Sequence, residues 1–212
     1  MTSRPPTSQP WTLVLLLLVP VLLAGCSGFK RWAYEGFGAR DRWQQPHRVI
    51  GELALRPGDR VADIGAGGGY FTFRLAEAVG REGLVYAVDV DADMTRHLER
   101  RARATGRENI RVLLVEGPDP GLPDGSLDLI FLSNTFHHLP DRVPYFRRLA
   151  RALAPEGRIA ILEYRPGEAR GGHATAPEQI RSELSAAGYT LSRQPGWPTK
   201  QSLMLFGRAA DG

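Results

Sequence analysis

The feature that most constrains this chain is a glycine-rich turn between an apolar run and an amphipathic stretch, all within residues 61–79. The turn has four glycines among residues 65–69, and the apolar run before it contains one carboxylate, Asp63. This order predicts a strand, a tight loop and a helix from about Tyr70, which together form an α/β nucleotide-binding unit. Glycine is needed because the chain turns sharply and a ligand must approach the backbone without interference from Cβ atoms. The free N–H groups at the start of the helix would point at that ligand.

The spacing of the glycines discriminates between ligands. A dinucleotide fingerprint that starts at Gly65 needs a further glycine at position 70, where this chain has Tyr70. The chain instead places an acid two residues before the first of three alternating glycines, and this pattern resembles motif I of the class I S-adenosylmethionine (SAM) dependent methyltransferases. In that family the acid and the loop hold the methionine part of SAM. The resemblance implies that the cofactor-binding residues here are Asp63, Gly65, Ala66, Gly67 and Gly69.

A second apolar strand, predicted over Leu84–Asp89, also ends on an acid. This acid, Asp89, lies close to where an acidic residue at the end of the second strand would bind ribose. A carboxylate suits ribose because it can accept hydrogen bonds from both neighbouring hydroxyls. We therefore expect Asp89 and the adjacent Val90 to bind the cofactor. We expect Asp91 to cap the following helix, which runs to about Gly106.

The segment after the third predicted strand, Ile110–Val115, departs from the family pattern. In the resembling family this segment usually reads Gly-Asp-Ala, with the Asp in contact with the adenine amino group. Here Pro118 stands where that Asp is expected, and proline also removes a backbone donor. Asp119, one position later, is the candidate for the adenine contact from a shifted position.

A fourth apolar strand, Leu127–Leu132, leads to a polar segment with two neighbouring histidines at the carboxyl edge of the sheet, where open α/β sheets bind ligands. The segment resembles the family segment ending His-His-Leu, in which the residue at the position of Asn134 approaches the cofactor. Because histidine takes up a proton near neutral pH, His137 and His138 are candidate catalytic bases, as is His173 in a later loop. A hydrogen-bonded structural pair is the alternative for the two neighbouring histidines.

The predicted elements follow the order of five alternating strand–helix units and two final strands. This layout resembles the class I methyltransferases and implies an α/β, Rossmann-like class I methyltransferase fold, with a seven-stranded, mostly parallel sheet and helices on both faces. A helix over Asp41–Leu55, either a lid over the site or a docking helix, would precede the first strand. The later elements are predicted as a helix over Asp141–Ala154 stopped by Pro155-Glu156-Gly157, a strand over Arg158–Tyr164, a helix from Ala176 to Gly188, and strands over Tyr189–Arg193 and Ser202–Gly207.

The N-terminus carries a separate signal. Residues 13–23 are leucine and valine interrupted only by Pro20, a run shorter than the ~20 residues that cross a bilayer and typical of a secretory signal. The run leads to Leu23-Ala24-Gly25-Cys26, which resembles the lipobox of bacterial lipoproteins, in which the cysteine becomes the lipidated first residue. The resemblance implies a signal peptide over 1–25, lipidation and membrane attachment at Cys26, a membrane-proximal linker over 26–40 and a methyltransferase domain over 41–212.

This N-terminal signal implies a membrane-anchored lipoprotein of the bacterial cell envelope, whereas SAM is made in the cytosol. An inner-membrane signal anchor that is retained, with the domain in the cytoplasm, would resolve this conflict, and the basic residues after the apolar run allow it. An exported domain that binds another ligand, or that uses SAM reaching the envelope, would resolve it as well. A misassigned start would also do so, although the next methionine, Met94, lies beyond the glycine turn.

Charge and cysteine content exclude several functions. The net charge is +4, but the 27 Lys+Arg residues are interspersed with 23 Asp+Glu residues, so we expect a solvated surface and no nucleic-acid partner. The single cysteine excludes an internal disulfide and a cysteine-based metal site, and we predict no metal.

These patterns together predict SAM-dependent methyl transfer to an unidentified small-molecule acceptor. A non-catalytic, ligand-binding envelope lipoprotein with the same fold is the first competing hypothesis, which Pro118 and Cys26 favour. A nicotinamide-dependent oxidoreductase is the second, and Tyr70 in place of glycine argues against it.

Overall fold

The computed structural model describes residues 39–169 and 173–209, in which seven strands form one sheet. The strands are β1 Arg60–Ile64, β2 Leu84–Asp89, β3 Ile110–Leu114, β4 Leu127–Ser133, β5 Leu153–Tyr164, β6 Tyr189–Arg193 and β7 Gln201–Arg208. Their order across the sheet is β3-β2-β1-β4-β5-β7-β6. The strands from β1 to β5 pair in parallel and β7 runs antiparallel to both of its neighbours, which confirms the predicted, mostly parallel sheet.

Helices connect most of these strands. Their bounds are α1 Ala39–Gln44, α2 Pro46–Leu53, α3 Thr72–Ala78, α4 Ala92–Ala104, α5 Arg142–Leu149 and α6 Pro177–Ala186, with 3₁₀ turns at Phe136–His138 and Ala150–Ala152. Asp91 caps α4 as predicted, because its side chain accepts from the N–H groups of Asp93 at 2.8 Å and Met94 at 3.2 Å.

The helices cover both faces of the sheet. Successive residues of a strand point to opposite faces, so the continuous apolar run of β4 buries two faces at once. Leu129 and Phe131 belong to the core under α2 and α3, whereas Ile130 and Leu132 belong to the core under α5 and α6, and all four are fully buried. The predicted arrangement of helices on both faces is therefore confirmed.

The helix predicted over Asp41–Leu55 is wrong as a single element. The structure divides it into α1 and α2 at Gln45, whose φ of 49° lies in the left-handed region. The break occurs because Pro46 disfavours helical torsions in the residue before it, while proline itself suits the first turn of a new helix. Two short helices can therefore turn over the edge of the sheet where one long helix could not.

The helix predicted over Asp141–Ala154 and its stop at residues 155–157 are also wrong. Helix α5 ends at Leu149, and Leu153 already pairs with Leu127 as part of β5. The pairing resumes between Leu129 and Arg158, so residues 154–157 bulge out of the ladder. Gly157 allows this bulge because a Cβ there would lie 2.5 Å from the carbonyl oxygen of Leu127.

The parallel strands bring their carboxyl ends to one edge of the sheet. The segments that follow β1, β2, β4 and β5 begin after Ile64, Asp89, Ser133 and Tyr164, so they meet at this edge. With the exception of Asp119, the predicted site residues from position 63 to 138 come from these segments or from the strand ends themselves.

Candidate active site

The site side chains at the carboxyl edge form two groups. We define the glycine half as residues 63–72 with 89–90, and the histidine half as residues 134–138 with Glu163 and His173. The two halves touch at Thr135, since a Cβ built on Gly65 would lie 2.2 Å from the Thr135 Oγ1. They therefore form one continuous surface.

The glycine loop requires glycine at alternate positions. The φ angles are 75° at Gly65, 52° at Gly67 and 87° at Gly69, a left-handed region that residues with a Cβ rarely adopt. The N–H groups of Gly65 and Ala66 both donate to the carbonyl of Val88, at 2.8 and 3.1 Å, and this ties the loop to β2. The loop geometry agrees with the predicted motif, and cofactor binding by these residues stays a prediction.

Asp89 faces the glycine loop at the end of β2. Its Oδ2 accepts from the Gly67 N–H at 2.7 Å and its Oδ1 accepts from the Asp91 N–H at 2.9 Å. Beside it, Val90 is 76% exposed, and Leu114, which pairs with Asp89 across the sheet, is 48% exposed. A carboxylate next to two exposed apolar side chains suits a ligand that combines hydroxyls with a flat apolar ring.

Asp63 lies beneath the loop. Its carboxylate is 2% exposed and accepts from the Thr72 hydroxyl at 2.6 Å. Burial raises the pKa of Asp63 to about 7, although the Thr72 hydrogen bond opposes this shift. Asp63 thus joins the end of β1 to the start of α3, and its predicted contact with a cofactor stays a prediction.

Helix α1 packs on the glycine half through a charged cluster. The Tyr70 hydroxyl donates to Asp41 Oδ1 at 2.5 Å, and Arg74 Nη2 binds the same carboxylate at 3.2 Å. The guanidinium carbons of Arg40 and Arg74 lie 3.8 and 4.3 Å from the centre of the Tyr70 ring, within the range of cation–π attraction. Burial lowers the pKa of Arg40. The predicted segment before the first strand therefore covers the loop.

Asn134 is held by buried amides from distant segments. Its Oδ1 accepts from Gln201 Nε2 at 2.6 Å, and Gln201 Oε1 accepts from Gln44 Nε2 at 3.1 Å. Both glutamines are fully buried, and Asn134 has a φ of 54°. The chain of amides connects β4, β7 and α1, and no local sequence pattern predicts it because Gln44 and Gln201 are 157 positions apart. The approach of Asn134 to a cofactor stays a prediction.

His137 pairs with an acid that the sequence did not single out. His137 Nδ1 lies 2.9 Å from Glu163 Oε1, and the backbone N–H of His137 donates to Glu163 Oε2 at 3.3 Å. The Glu163 side chain is fully buried, and burial raises its pKa, while the facing His137 opposes that shift. The available signal was the position of Glu163 near the end of a predicted strand, at the same edge as the histidines.

His138 and His173 complete a group of three imidazole rings. The ring centres of His138 and His173 lie 4.0 and 5.8 Å from that of His137, and 6.0 Å from each other. Burial, followed by the charges of the two other histidines, lowers the pKa of His138. The structure therefore brings together all three histidines named as candidate bases, and their catalytic role stays a prediction.

Asp119 is not at this edge, and the expectation of a shifted adenine contact is corrected. Its carboxylate accepts from the Gly121 N–H at 3.0 Å and from Arg151 Nη2 at 2.6 Å, and these contacts lower its pKa. Arg151 lies in the turn before β5, at the amino end of the sheet, where its carbonyl accepts from Gly125 N–H. The loop between β3 and β4 must run from the carboxyl edge of the sheet to the amino edge, where β4 starts. At Asp119 this loop has already reached the amino edge.

Several predictions fall on residues that the structure does not describe. The signal peptide, Cys26 and most of the linker over 26–40 lie outside the described residues, as do Arg170–Gly172 of the loop before α6. Among residues 39–169 and 173–209, no group of three or more histidine, cysteine or acidic side chains is arranged to hold a metal ion. Within the same ranges, the helices are all too short or too polar to span a bilayer.

Comparison with known proteins relates the glycine half and residues 134–138 of the histidine half to one type of domain. Residues 61–157 match the family model described as a methyltransferase domain. Aklanonic acid methyltransferase DauC of Streptomyces sp. (strain C5) is 38% identical over 128 residues, 60% of this chain and 58% of that protein. Nocamycin O-methyltransferase of Saccharothrix syringae is 33% identical over 128 residues, 60% of this chain and 46% of that protein. The chain thus spans about half the length of these curated relatives.

Solved structures show the same fold over more of the chain. A SAM dependent methyltransferase from Aquifex aeolicus superposes with a TM-score of 0.71 at 27% identity, covering 80% of this chain and 92% of that one. The YcgJ protein from Bacillus subtilis superposes with a TM-score of 0.64, covering 80% of this chain and 99% of that one. At 18% identity the second likeness concerns the fold alone.

Proposed function

We propose that this chain is a class I SAM-dependent methyltransferase that transfers a methyl group from SAM to a small-molecule acceptor. These similarities confirm the predicted fold and support the family, the enzyme class and the cofactor predicted from the sequence. The observation that carries the proposal for this chain is the glycine loop braced on Asp89, at the edge where open α/β sheets bind ligands.

The residues present fit SAM. The loop has no Cβ at Gly65, Gly67 or Gly69, so the backbone is open to close approach by the methionine part. Asp89 stands at the end of β2, where a carboxylate can accept from two ribose hydroxyls. Val90, exposed beside it, offers an apolar surface to the adenine ring. These residues would hold the cofactor, and its sulfonium would supply an already activated methyl group.

The chain's own contribution is alignment and exclusion of water, since the methyl group needs no further activation. Helix α1 covers the glycine half through Tyr70 and Asp41, and its Gln44 is tied to β7. The histidine half lies next to the loop through Thr135, so an acceptor held there would be beside the methionine part of SAM. Only an acceptor that must lose a proton would also require a base.

A small-molecule acceptor is supported by the relatives. Their names include aklanonic acid methyltransferase, nocamycin O-methyltransferase and 27-O-demethylrifamycin SV methyltransferase, the last from Amycolatopsis mediterranei at 30% identity. The acceptor of this chain is a separate question, because the chain covers between 46% and 58% of those proteins.

The location we propose is the bacterial cell envelope, with the domain attached to the membrane through lipidated Cys26. The apolar run over residues 13–23 and the lipobox-like Leu23-Ala24-Gly25-Cys26 support this location. Globomycin, which blocks lipoprotein processing, is expected to leave a slower-migrating precursor of the full-length chain. An unchanged band would favour the inner-membrane signal anchor with the domain in the cytoplasm.

Calorimetry with SAM, with its demethylated product and with NAD tests the proposed function. We expect heat with the first two ligands and none with NAD. Asp89→Ala is expected to weaken SAM binding strongly, whereas Asp93→Ala, which removes an exposed acid paired with Arg96 on α4, should leave it unchanged. Absence of binding by the native chain would overturn the methyltransferase proposal and leave the non-catalytic envelope lipoprotein. Equal affinity of Asp89→Ala and the native chain would refute the ribose role of Asp89.

A further inference from the structure

The pair of Glu163 and His137 is more than a packing contact. The Glu163 side chain is fully buried, and a buried carboxyl group is costly unless its oxygens are hydrogen-bonded. Both oxygens have partners: Oε1 meets His137 Nδ1 and accepts from the Tyr164 N–H at 2.9 Å, and Oε2 accepts from the His137 N–H. Three contacts therefore hold the acid in one orientation toward one imidazole ring.

This orientation determines which ring nitrogen carries the proton. A carboxylate only accepts hydrogen bonds, so His137 Nδ1 donates to Glu163 and Nε2 keeps its lone pair. Among the described residues, Nε2 has no hydrogen-bond partner, and 10% of the His137 side chain stays exposed. The lone pair is thus available to a group bound at the carboxyl edge.

The ring is also close to the glycine half. His137 lies in the 3₁₀ turn Phe136–His138, which starts one residue after Thr135. Thr135 is the residue that contacts Gly65, so the turn is anchored against the cofactor loop. A proton acceptor two residues beyond that contact is in the region where an acceptor molecule would meet the methyl group.

We propose that Glu163 is a positioning residue that holds His137 as the general base for an acceptor hydroxyl, which makes the substrate a hydroxyl-bearing small molecule. This inference rests on the proposed methyl transfer. The acceptor O–H bond breaks and its proton passes to His137 Nε2 while the O–CH₃ bond forms. The S–CH₃ bond breaks with its electron pair left on sulfur. The proton then leaves the imidazolium for water, so one proton is released for each methyl group transferred.

Charged and titratable groups around the ring decide the pH dependence. Glu163 of β5 contacts the ring at 2.9 Å, and the ring centres of His138 in the same turn and His173 in the segment before α6 lie 4.0 and 5.8 Å from that of His137. Arg142 at the start of α5 interacts electrostatically with Glu163, but its guanidinium is bound to Glu183. Glu163 is the acid in direct contact with the ring, so removing its charge should move the acidic limb of the kcat profile to lower pH.

The first stage of the test uses the full-length chain and needs no acceptor. Nitrogen NMR of the histidine rings should show His137 protonated at Nδ1 and free at Nε2 at neutral pH, and Glu163→Gln should change this distribution. Calorimetry with the demethylated cofactor product should give unchanged affinity for His137→Gln, Glu163→Gln, Glu163→Asp and the control His47→Gln. His47 is an exposed histidine of α2. A native ring protonated at Nε2 instead would overturn the inference.

The second stage measures methyl transfer to phenol, 4-nitrophenol and aniline. With phenol, His137→Gln is expected to lower kcat by about 10²- to 10⁴-fold with little change in KM. Glu163→Gln should lower kcat by roughly tenfold or more, Glu163→Asp should retain the position of the acidic limb, and His47→Gln should match the native chain. The deficit of His137→Gln should shrink with 4-nitrophenol, which ionises without help near neutral pH.

The outcomes separate this inference from the proposed function. An equal deficit with phenol and 4-nitrophenol, or transfer to aniline and to no hydroxyl acceptor, would overturn the role of the pair. Binding of SAM without methylation of any hydroxyl compound would overturn it as well. Failure of the native chain to bind SAM would instead overturn the proposed function.

Discussion

The glycine half and the histidine half meet at Thr135, yet different parts of the chain hold them in place. In the glycine half, the main contacts join residues that are near in sequence or on neighbouring strands: Asp63 with Thr72 and Gly67 with Asp89, 9 and 22 positions apart. In the histidine half, the hydrogen bond from Gln201 to Asn134 spans 67 positions and the bond from Gln44 to Gln201 spans 157.

The match to the methyltransferase family model covers the two halves to different extents. Residues 61–157, which match the methyltransferase family model, contain the whole glycine half and residues 134–138 of the histidine half, and they end before Glu163 and Gln201. The half that would hold the cofactor is built mainly from backbone, whereas the half that would hold the acceptor depends on side chains brought in by later strands. The similarity to the family model therefore covers the residues expected to hold the cofactor, but only part of those expected to hold the acceptor.

The largest expected effect on stability comes from a methyl group added to the glycine loop where the two halves touch. Gly65→Ala would put a Cβ 2.2 Å from Thr135 Oγ1 at a φ of 75°. We expect the free energy of unfolding to fall by roughly 2–5 kcal/mol, from left-handed strain and overpacking together. Gly80→Ala is the matched control, since its φ is 67° with open space around the Cβ, and should lose only about 1–2 kcal/mol. Equal losses in urea unfolding would show that Thr135 can move away from the loop without a measurable loss of stability.

The buried acid of the glycine half should make stability depend on pH. Burial raises the pKa of Asp63 to about 7, so the folded state keeps a proton that the unfolded state has lost. Stability should therefore fall as pH rises from about 4 to about 7, by at most roughly 1.4 kcal/mol per pH unit, and level off above that. Asp63→Asn keeps an acceptor for Thr72 and should remove this slope, measured by urea unfolding at several pH values. A slope that persists in the variant would belong to another group.

Removal of one buried amide probes the long-range contacts of the histidine half. Gln201→Ala leaves the Gln44 and Asn134 amides without their partner, and we expect a loss of about 1–3 kcal/mol in the free energy of unfolding. Gln179→Ala on α6, an exposed glutamine bonded to Glu183, is the control and should change stability by less than about 0.5 kcal/mol. A similar effect of both substitutions would mean that water replaces the lost partner, and the contrast between the halves would weaken.

The smallest expected effect comes from an ion pair outside both halves, which tests whether the site is independent of the contact between α5 and α6. Arg142 and Glu183 form a two-point contact between α5 and α6, each 21% exposed. A double-mutant cycle with alanine should give a coupling energy of about 0.2–1 kcal/mol. Calorimetry should show SAM affinity unchanged in all variants of the cycle. Weakened SAM binding would show that the α5–α6 contact reaches the site.

Much of the fold was predictable because its signals are local. Strands β2 and β6 have the predicted bounds, and Asp91 caps its helix as expected. The failures occur where tertiary contacts override the local pattern. Residues 155–157 look like a helix stop, but residues 154–157 bulge out of β5 because Leu153 already pairs with Leu127.

The candidate site was likewise predictable where it depends on local signals and strand direction. The edge at which the predicted loop, Asp89 and the histidines gather follows from the parallel strands, since their carboxyl ends coincide. Asp119 was misplaced because a loop between two strands must cross from one edge of the sheet to the other, and its crossing point depends on its partner Arg151. Residue identity alone does not specify where on such a crossing a side chain lies.

The sequence by itself determined the glycine loop and the acids at the ends of β1 and β2, because positive φ angles and strand ends are properties of a few neighbouring residues. Only the tertiary structure decided that Glu163 faces His137 and that Gln44, Gln201 and Asn134 share one chain of hydrogen bonds. Those partners are set by strand order and register, which bring distant residues together after the local elements have formed.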